Sequence, residues 1–349
     1  MDSLLTAQLK LIPEMSDLLQ KRYRILQTIQ LSKGIGRRVL GEQLGLSERD
    51  TRKELDILRS QGMIDVSRDG AAITPEGSQL LLDLKEVVRE WSGRLRLEQQ
   101  LAQHLHIKEV IIVPGNVDTN TNAAMLLSQE AAKYLESILT DEKIVAVTGG
   151  STIASISNFV HATNRWKQLL FIAARGGVGK DVALQANTIA SLFANKMNGA
   201  YRTLYMPDSL SEEAYTTMKK EPFIQEMMDL YERTNIIIHG IGDAEEMARR
   251  RNTDEKEIER LKEAGSVSEA FGYYFNDQGE AVHRIRTIGI QLNQLKHIEH
   301  LLAVAGGAKK VNALLSYFKQ APEQTVLVTD EGAANEMMRK ISTNQLGGI

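Results

Sequence analysis

Glycines, hydroxyl side chains and cations follow several apolar segments in the C-terminal two thirds of the chain. The clearest case is residues 147–152, Val-Thr-Gly-Gly-Ser-Thr, between an apolar segment and a segment of helical pattern. Gly149 and Gly150 permit a tight turn and a close approach of ligand to backbone. The hydroxyls of Ser151 and Thr152 lie beside the free N–H groups of a helix start, which favours an anion site, most naturally for phosphate. The alternative is a plain turn between strand and helix.

Cations follow two further apolar segments. Residues 174–178, Ala-Arg-Gly-Gly-Val, place Arg175 at a predicted strand end, where its guanidinium can hold a phosphate through two hydrogen bonds. Residues 239–243, His-Gly-Ile-Gly-Asp, precede three arginines at 249–251. One of these arginines can turn inward, although a solvated basic helix is the commoner arrangement.

A fourth apolar segment, residues 303–310, ends in Gly-Gly-Ala-Lys-Lys and puts Lys309 or Lys310 at the next helix start. One phosphate needs about two such groups, so the surplus of cations indicates a ligand with two phosphates. Glu269 can meet sugar hydroxyls or act as a base, and spacing does not decide between these roles.

Other kinds of chemistry find little support. The chain has no cysteine and only seven histidines, whose close pairs, His104/His106 and His297/His300, lack nearby carboxylate clusters, so we expect no metal site. No dinucleotide fingerprint follows the first strand, so we expect no nicotinamide or flavin cofactor. A P-loop at residues 174–181 is rejected, because it lacks the first glycine and has Asp181 after the lysine.

The elements that position these residues begin at about residue 105. Apolar segments alternate with helical patterns, which predicts an α/β domain over 105–349 with a parallel sheet covered by helices. We predict strands at 108–114, 143–148, 169–174, 201–206, 235–239 and 326–328, and helices at 126–138, 152–160 and 331–341. Ligands of such sheets collect at the carboxyl ends of the strands.

The N-terminal residues 1–74 have a different pattern. A helix, a short helix ending at Gly45, and a third helix over 47–60 precede a strand–turn–strand segment at 63–73. Ser47 is a suitable N-cap for the third helix, whose inner side carries Thr51, Leu55 and Leu58. This order predicts a winged helix-turn-helix DNA-binding domain. The predicted DNA-binding residues are Arg37, Arg38, Ser47, Arg49, Thr51, Arg52, Lys53, Arg59 and Arg68.

The charge distribution agrees with this prediction. The 349 residues include 42 Lys and Arg against 45 Asp and Glu, a formal net charge of −3. Between residues 21 and 59, ten basic residues stand against five acidic ones, so this segment carries +5 and the remainder −8. Such segregation favours DNA binding by the basic segment. The alternative is a helical domain with a solvated basic face, or one that binds protein.

A long helix is predicted over 75–104 as linker and dimerisation element. Thr74 and Pro75 are suitable for its N-cap and first position. The stripe of Leu80, Leu84, Val87, Trp91 and Leu95 resembles a short coiled coil and favours a homodimer. The alternative is a helix packed on its own chain.

The location is predicted to be cytoplasmic. No stretch approaches the ~18 consecutive apolar residues of a membrane span. Residues 1–13 lack the pattern of a signal peptide, and the absence of cysteine fits a reducing compartment.

The effector motifs together resemble a known family. Residues 148–152, 175–177, 240–242 and 270–279 (Ala-Phe-Gly-Tyr-Tyr-Phe-Asn-Asp-Gln-Gly) are similar to the sugar-binding domain of the SorC (DeoR-type) bacterial transcription regulators. The resemblance implies a Rossmann-like fold similar to ribose-5-phosphate isomerase and glucosamine-6-phosphate deaminase. With the winged helix in front, it covers essentially the whole chain.

The resemblance also implies a function and a set of site residues. It implies a repressor of a glycolytic operon that is released by fructose 1,6-bisphosphate and binds its operator as a tetramer, a dimer of dimers. One phosphate would lie on the Gly-Gly-Ser-Thr loop with Lys310, and the other on Arg175 and Arg250, with Arg251 adjacent. Gln185 and Glu269 match positions that contact the sugar or phosphate. The implied effector-binding set is Gly149, Gly150, Ser151, Thr152, Arg175, Gln185, Arg250, Arg251, Glu269 and Lys310.

Two alternatives remain at this point. One is a sugar-phosphate isomerase or deaminase with a DNA-binding appendage, which would need a positioned general base. No Asp/His/Glu constellation stands out beside the Gly-Gly-Ser-Thr loop, so we predict no catalytic residue and no enzyme activity. The other is a nucleotide-binding domain, which the failed P-loop disfavours.

Overall fold

The computed structural model describes residues 11–12, 14–32, 34–161, 165–178 and 181–346. It divides into two compact units, Met1–Leu97 and Glu98–Ile349. Two predictions concern residues that lie partly outside the described ranges. One is the absence of a signal peptide at residues 1–13, and the other is the rejected P-loop, which includes Gly179 and Lys180. Within the described ranges, no helix combines the length and apolarity that a membrane crossing requires.

The N-terminal unit is the predicted winged helix-turn-helix. Its elements are α1 (Glu14–Leu31), α2 (Arg37–Leu44), α3 (Glu48–Ser60) and the antiparallel strands β1 (Ile64–Ser67) and β2 (Gly70–Ile73), followed by α4 (Pro75–Trp91). The Ser47 hydroxyl accepts a hydrogen bond from the Asp50 N–H, as an N-cap does. Apolar side chains of all four helices and of the hairpin form one core.

The prediction of one helix over 75–104 is wrong. The chain forms α4 and then α5 (Arg94–Leu105), and the break falls at Ser92 and Gly93, where Gly93 has a φ of +76° that suits glycine. Leu80 and Leu84 of the predicted stripe pack against the core of the N-terminal unit. Two of the five stripe residues therefore pack within their own chain, and dimerisation through this segment stays a prediction.

The C-terminal unit contains the predicted parallel sheet. Its strands are β3 (Glu109–Val113), β4 (Ile144–Val147), β5 (Leu170–Ala173), β6 (Ala200–Arg202), β7 (Ile236–His239), β12 (His300–Val304) and β13 (Thr325–Asp330). They lie in the order β3-β13-β12-β7-β4-β5-β6, and every pair is parallel. The strand predicted over 201–206 is shorter because the chain leaves the sheet after Arg202.

Helices connect these strands. They are α6 (Thr121–Ile138), α7 (Ser151–Ile156), α8 (Ala186–Met197), α9 (Glu212–Met218), α10 (Pro222–Glu232), α11 (Ala244–Arg250), α12 (Glu255–Glu263), α13 (Leu292–Leu295), α14 (Val311–Phe318) and α15 (Glu331–Leu346). The central strands are buried along their length, as expected for a sheet covered on both faces. The strand order reverses between β4 and β7, so a crevice forms at their carboxyl ends.

A second sheet was absent from the sequence predictions. It is antiparallel, in the order β11-β10-β9-β8, with β8 (Gly242–Asp243), β9 (Ser266–Ala270), β10 (Tyr273–Asn276) and β11 (Ala281–Arg284). Its importance for the site is that β9 carries Glu269 and β10 carries Tyr274.

Candidate functional site

A cavity of about 440 Å³ lies at the carboxyl ends of β4, β5, β7 and β12. This volume is within the range of roughly 300–1,000 Å³ that is usual for small-molecule sites. All ten predicted effector-binding residues are in its lining: Gly149, Gly150, Ser151, Thr152, Arg175, Gln185, Arg250, Arg251, Glu269 and Lys310. Residues far apart in the sequence are thus brought to one place.

The loop after β4 has a backbone that requires glycine. Gly150 has φ +123° and ψ 155°, and it is the N-cap residue of α7. A Cβ on Gly149 would lie 2.8 Å from the carbonyl oxygen of Leu184, and the N–H of Gly150 donates to that same oxygen at 2.9 Å. The loop is therefore packed against the turn at Val182–Leu184, which brings Gln185 beside it.

Carboxylates position the loop that carries Lys310. Asp330 Oδ2 accepts hydrogen bonds from the N–H groups of Gly307 and Val117, each at 2.9 Å, and Asp118 Oδ2 accepts from the N–H of Lys309 at 3.1 Å. Lys310 then lines the cavity, and Lys309 does not. Among the residues that the structure describes, none forms an ion pair with Lys310, so its charge is available to a ligand.

Four buried charged side chains form a closed ring, and their exposed fractions are 4–7%. Arg175, Arg251 and Glu269 of this ring line the cavity, whereas Asp208 does not. Arg175 donates from Nε to Asp208 Oδ1 at 2.6 Å and from Nη1 to Glu269 Oε1 at 3.0 Å. Arg251 donates from Nε to Asp208 Oδ2 and from Nη2 to Glu269 Oε1, both at 2.8 Å. We call these four residues the charge ring.

The charge ring bears on the expected role of Arg175 in holding a phosphate, which stays a prediction. Its Nε and Nη1 are bound to carboxylates, and Nη2 is buried without a hydrogen-bond partner. A Cβ on Gly272 would lie 2.6 Å from that Nη2. Nη2 therefore has no partner among the described residues, whereas Nε and Nη1 would have to share a phosphate with Asp208 or Glu269.

Arg251 is committed to the protein interior. Its Nη1 also donates to the Tyr274 hydroxyl at 3.0 Å. Burial opposes its charge, but Glu269 and Asp208 outweigh that effect and raise the pKa of Arg251 above its ordinary value. Arg250 is different: its side chain is 38% exposed, and it pairs with Glu246 on its own helix at 3.1 Å. Arg250 is thus the more accessible cation of the two.

His239 lies buried behind the cavity, where it packs against the rings of Phe271 and Tyr317 at centroid distances of 4.8 and 5.4 Å. Burial lowers the pKa of His239 to about 4, so it is neutral at pH 7. Across the described part of the chain, no group of three or more His, Asp or Glu side chains is placed to hold a metal ion.

The predicted DNA-binding surface lies on the N-terminal unit. Arg49, Arg52, Lys53 and Arg59 on α3 are exposed, and Arg68 is exposed in the wing turn. Some of the predicted cations make exposed ion pairs: Arg37 with Glu48 at 2.9 Å, Arg38 with Glu42 at 3.0 Å, and Arg52 with Asp56 at 4.0 Å. Such pairs are worth little in water and can be exchanged for DNA phosphates.

Thr51 does not belong to this surface. It is fully buried, and its hydroxyl donates to the carbonyl oxygen of Ser47 at 2.9 Å. Part of the local positive charge is also structural, because Lys21 and Arg22 bind the buried carboxylate of Glu54 at 2.6 and 2.9 Å. Burial acts to raise the pKa of Glu54, but the hydrogen bonds from these two cations hold it below its ordinary value.

Two family models match the chain and together cover most of it. Residues 18–88 match the family described as the CggR N-terminal DNA binding domain, and residues 89–339 match the family described as a putative sugar-binding domain.

Curated relatives match along nearly the whole chain. The central glycolytic genes regulator of Bacillus subtilis is 40% identical over 339 residues, which are 97% of this chain and 99% of the relative. The regulator of the same name from Priestia megaterium is 43% identical over 340 residues, with the same coverage of 97% and 99%.

Solved structures agree with the fold. A SorC family transcriptional regulator from Enterococcus faecalis, described as putative, has a TM-score of 0.65 and 38% identity, and the match covers 70% of this chain and 99% of that one. The full-length sorbitol operon regulator SorC from Klebsiella pneumoniae has a TM-score of 0.64, with 86% and 93% covered. At 15% identity, the latter bears on the fold alone.

Proposed function

We propose that this chain represses a glycolytic operon and that fructose 1,6-bisphosphate relieves the repression. The chain belongs to the SorC family of transcription regulators and, within it, to the central glycolytic genes regulators. A DNA-binding domain and a sugar-binding domain are the parts of a transcriptional repressor whose operator binding responds to a sugar. The matching relatives are transcription regulators, so the chain is a regulator and not an enzyme. Its place of action is the cytoplasm.

One observation carries the choice of effector: a glycine loop at a helix start and an unpaired lysine line the same cavity as an accessible arginine. The loop at Gly149–Thr152 with Lys310 offers N–H groups, hydroxyls and a charge to one phosphate. Arg250 offers a second charge, and Arg175 lines the same cavity. Two separate cationic groups favour two phosphates on one ligand.

The sugar between the phosphates would meet the polar groups of the same wall. Glu269 Oε2 accepts no hydrogen bond from any described residue, so it is available to a sugar hydroxyl. Gln185 lies beside the glycine loop and can donate or accept. An open-chain or ring hexose with a phosphate at each end satisfies all of these groups.

Release from DNA follows by linkage. The effector favours whichever arrangement of the subunits binds it better, and it shifts operator binding only by that difference in affinity. The repressor acts as a homo-oligomer, a tetramer on the operator composed of two dimers, and the effector weakens the contact between dimers.

A thermal-shift screen of glycolytic intermediates tests this proposal. A ligand present at about 100 times its Kd stabilises the folded chain by about 2.7 kcal/mol. We expect the largest rise in melting temperature with fructose 1,6-bisphosphate and a smaller one with fructose 6-phosphate. A larger shift with a nucleotide, or no shift with any phosphorylated sugar, would contradict the proposal.

A further inference from the structure

Asp208, which no sequence pattern singles out, is the member of the charge ring that binds both arginines without lining the cavity. Its side chain is 4% exposed, and both carboxylate oxygens are bound, Oδ1 to Arg175 and Oδ2 to Arg251. Its own N–H donates to the carbonyl of Gly177 at 3.1 Å, so its backbone is tied to the segment that carries Arg175. Asp208 is therefore held in position by its backbone hydrogen bond and by burial, and not only by its ion pairs with the two arginines.

The charge ring has no net formal charge, because two guanidinium groups are balanced by the carboxylates of Asp208 and Glu269. A bare phosphate that approached this wall would meet the carboxylate of Glu269 together with guanidinium groups that are already paired. Its gain would be small, because the attraction and the repulsion largely cancel. A hydroxyl next to a phosphate changes this balance, since it can donate to Glu269 Oε2.

We infer that Asp208 is a specificity-determining residue, which neutralises Arg175 and Arg251 so that this wall accepts a phosphate only together with a neighbouring hydroxyl. The inference rests on the proposed function, in which the cavity binds a phosphorylated sugar. It predicts that small anions such as inorganic phosphate or pyrophosphate compete poorly with the sugar for the cavity.

Three variants of the full chain set the charge of the ring. D208N leaves it at +1, R251Q at −1, and the double variant D208N/R251Q restores zero. The control is E226Q, which removes one carboxylate from an exposed pair with Arg202 at 3.7 Å. Calorimetric titration with pyrophosphate and with fructose 1,6-bisphosphate gives, for each variant, the ratio of the two affinities.

The ratio should follow the charge of the ring. In D208N we expect the preference for the sugar bisphosphate over pyrophosphate to fall about tenfold or more, the usual effect of one nearby charge on an ionic equilibrium. R251Q should raise the preference, and the double variant and E226Q should return the original ratio. A purely structural role of Asp208 would weaken both ligands together and leave the ratio unchanged.

Each outcome decides the inference. An unchanged ratio in D208N, or a double variant that behaves like D208N, overturns it. If D208N does not fold by itself, the inference requires that pyrophosphate restore folding where chloride at equal ionic strength does not. If the unaltered chain binds no phosphorylated sugar, the proposed function fails as well, whereas normal sugar binding with an unchanged ratio refutes the role of Asp208 alone.

Discussion

Lys310→Met removes the one cavity-lining cation that has no ion-pair partner among the described residues. Methionine keeps most of the length of the side chain and its apolar stem, so the packing of the 3₁₀ turn at Ala308–Lys310 should persist. The hydrogen bonds that Asp330 and Asp118 accept in this loop come from backbone N–H groups and do not involve the lysine side chain. The change is therefore confined to the charge.

The size of the effect follows from the pairing of each cation. A hydrogen bond to a charged group contributes about 1.5–3 kcal/mol, which corresponds to about a 10- to 150-fold change in Kd. Lys310 has no carboxylate to release before it binds a phosphate, so this contribution should be realised in full. Arg250 must first exchange Glu246, and its loss should cost less.

The assay is isothermal titration of fructose 1,6-bisphosphate and of fructose 6-phosphate into the unaltered chain and into Lys310→Met. We expect the bisphosphate Kd to rise about 10- to 150-fold in Lys310→Met. Lys309→Met is the matched control, because Lys309 is exposed and lies outside the cavity lining. Operator affinity without sugar should be unchanged in both variants.

Equal losses in Lys310→Met and Lys309→Met would contradict a specific contact between Lys310 and the phosphate, because the effect would then reflect the general charge of the loop. An unchanged bisphosphate Kd in Lys310→Met would do so as well. A lower melting temperature without ligand would indicate instead that the turn had rearranged.

Three further outcomes are expected. Arg52→Ala should weaken operator binding by about 1–3 kcal/mol in an anisotropy titration and leave sugar affinity intact. Gly150→Ala should lower sugar affinity and melting temperature, because a φ of +123° costs a non-glycine residue about 1–3 kcal/mol. His239 is protonated near pH 6.5 in the unfolded chain but only near pH 4 in the folded chain. The free energy of unfolding should therefore decrease as the pH is lowered from 6.5 to 4, by up to about 1.4 kcal/mol per pH unit. His239→Gln should flatten that decline in thermal unfolding.

Local patterns were sufficient to predict most of the fold. Short apolar segments bounded by glycine predicted the central strands, because a buried parallel strand needs apolar residues on both faces. Ser47 and Thr74 predicted the starts of α3 and α4, because a hydroxyl N-cap acts within three residues. Gly93 was the missed signal in the connector, since a glycine within a helical pattern can end a helix.

The charge ring was beyond such patterns. Asp208 meets partners that lie 33 and 43 residues away, and Arg175 meets Glu269 at a separation of 94. The sequence therefore indicated which strand ends carry cations, but not which of these cations are neutralised by carboxylates.

The prediction of Thr51 as a DNA contact was a different kind of error. Thr51 is four residues before Leu55 and seven before Leu58, so helical spacing placed it on the inner side of the helix and argued against a DNA contact.

Titration of operator DNA with the full chain, in the presence and absence of fructose 1,6-bisphosphate, tests most directly whether the sugar cavity controls DNA binding. We expect binding to fall steeply with salt, because Arg and Lys side chains displace counterions from phosphates. At constant salt, we expect the bisphosphate to weaken operator binding further. Fructose 6-phosphate should weaken it less. Operator affinity that is indifferent to the bisphosphate, while calorimetry detects the bisphosphate bound, would contradict the link between the cavity and DNA release.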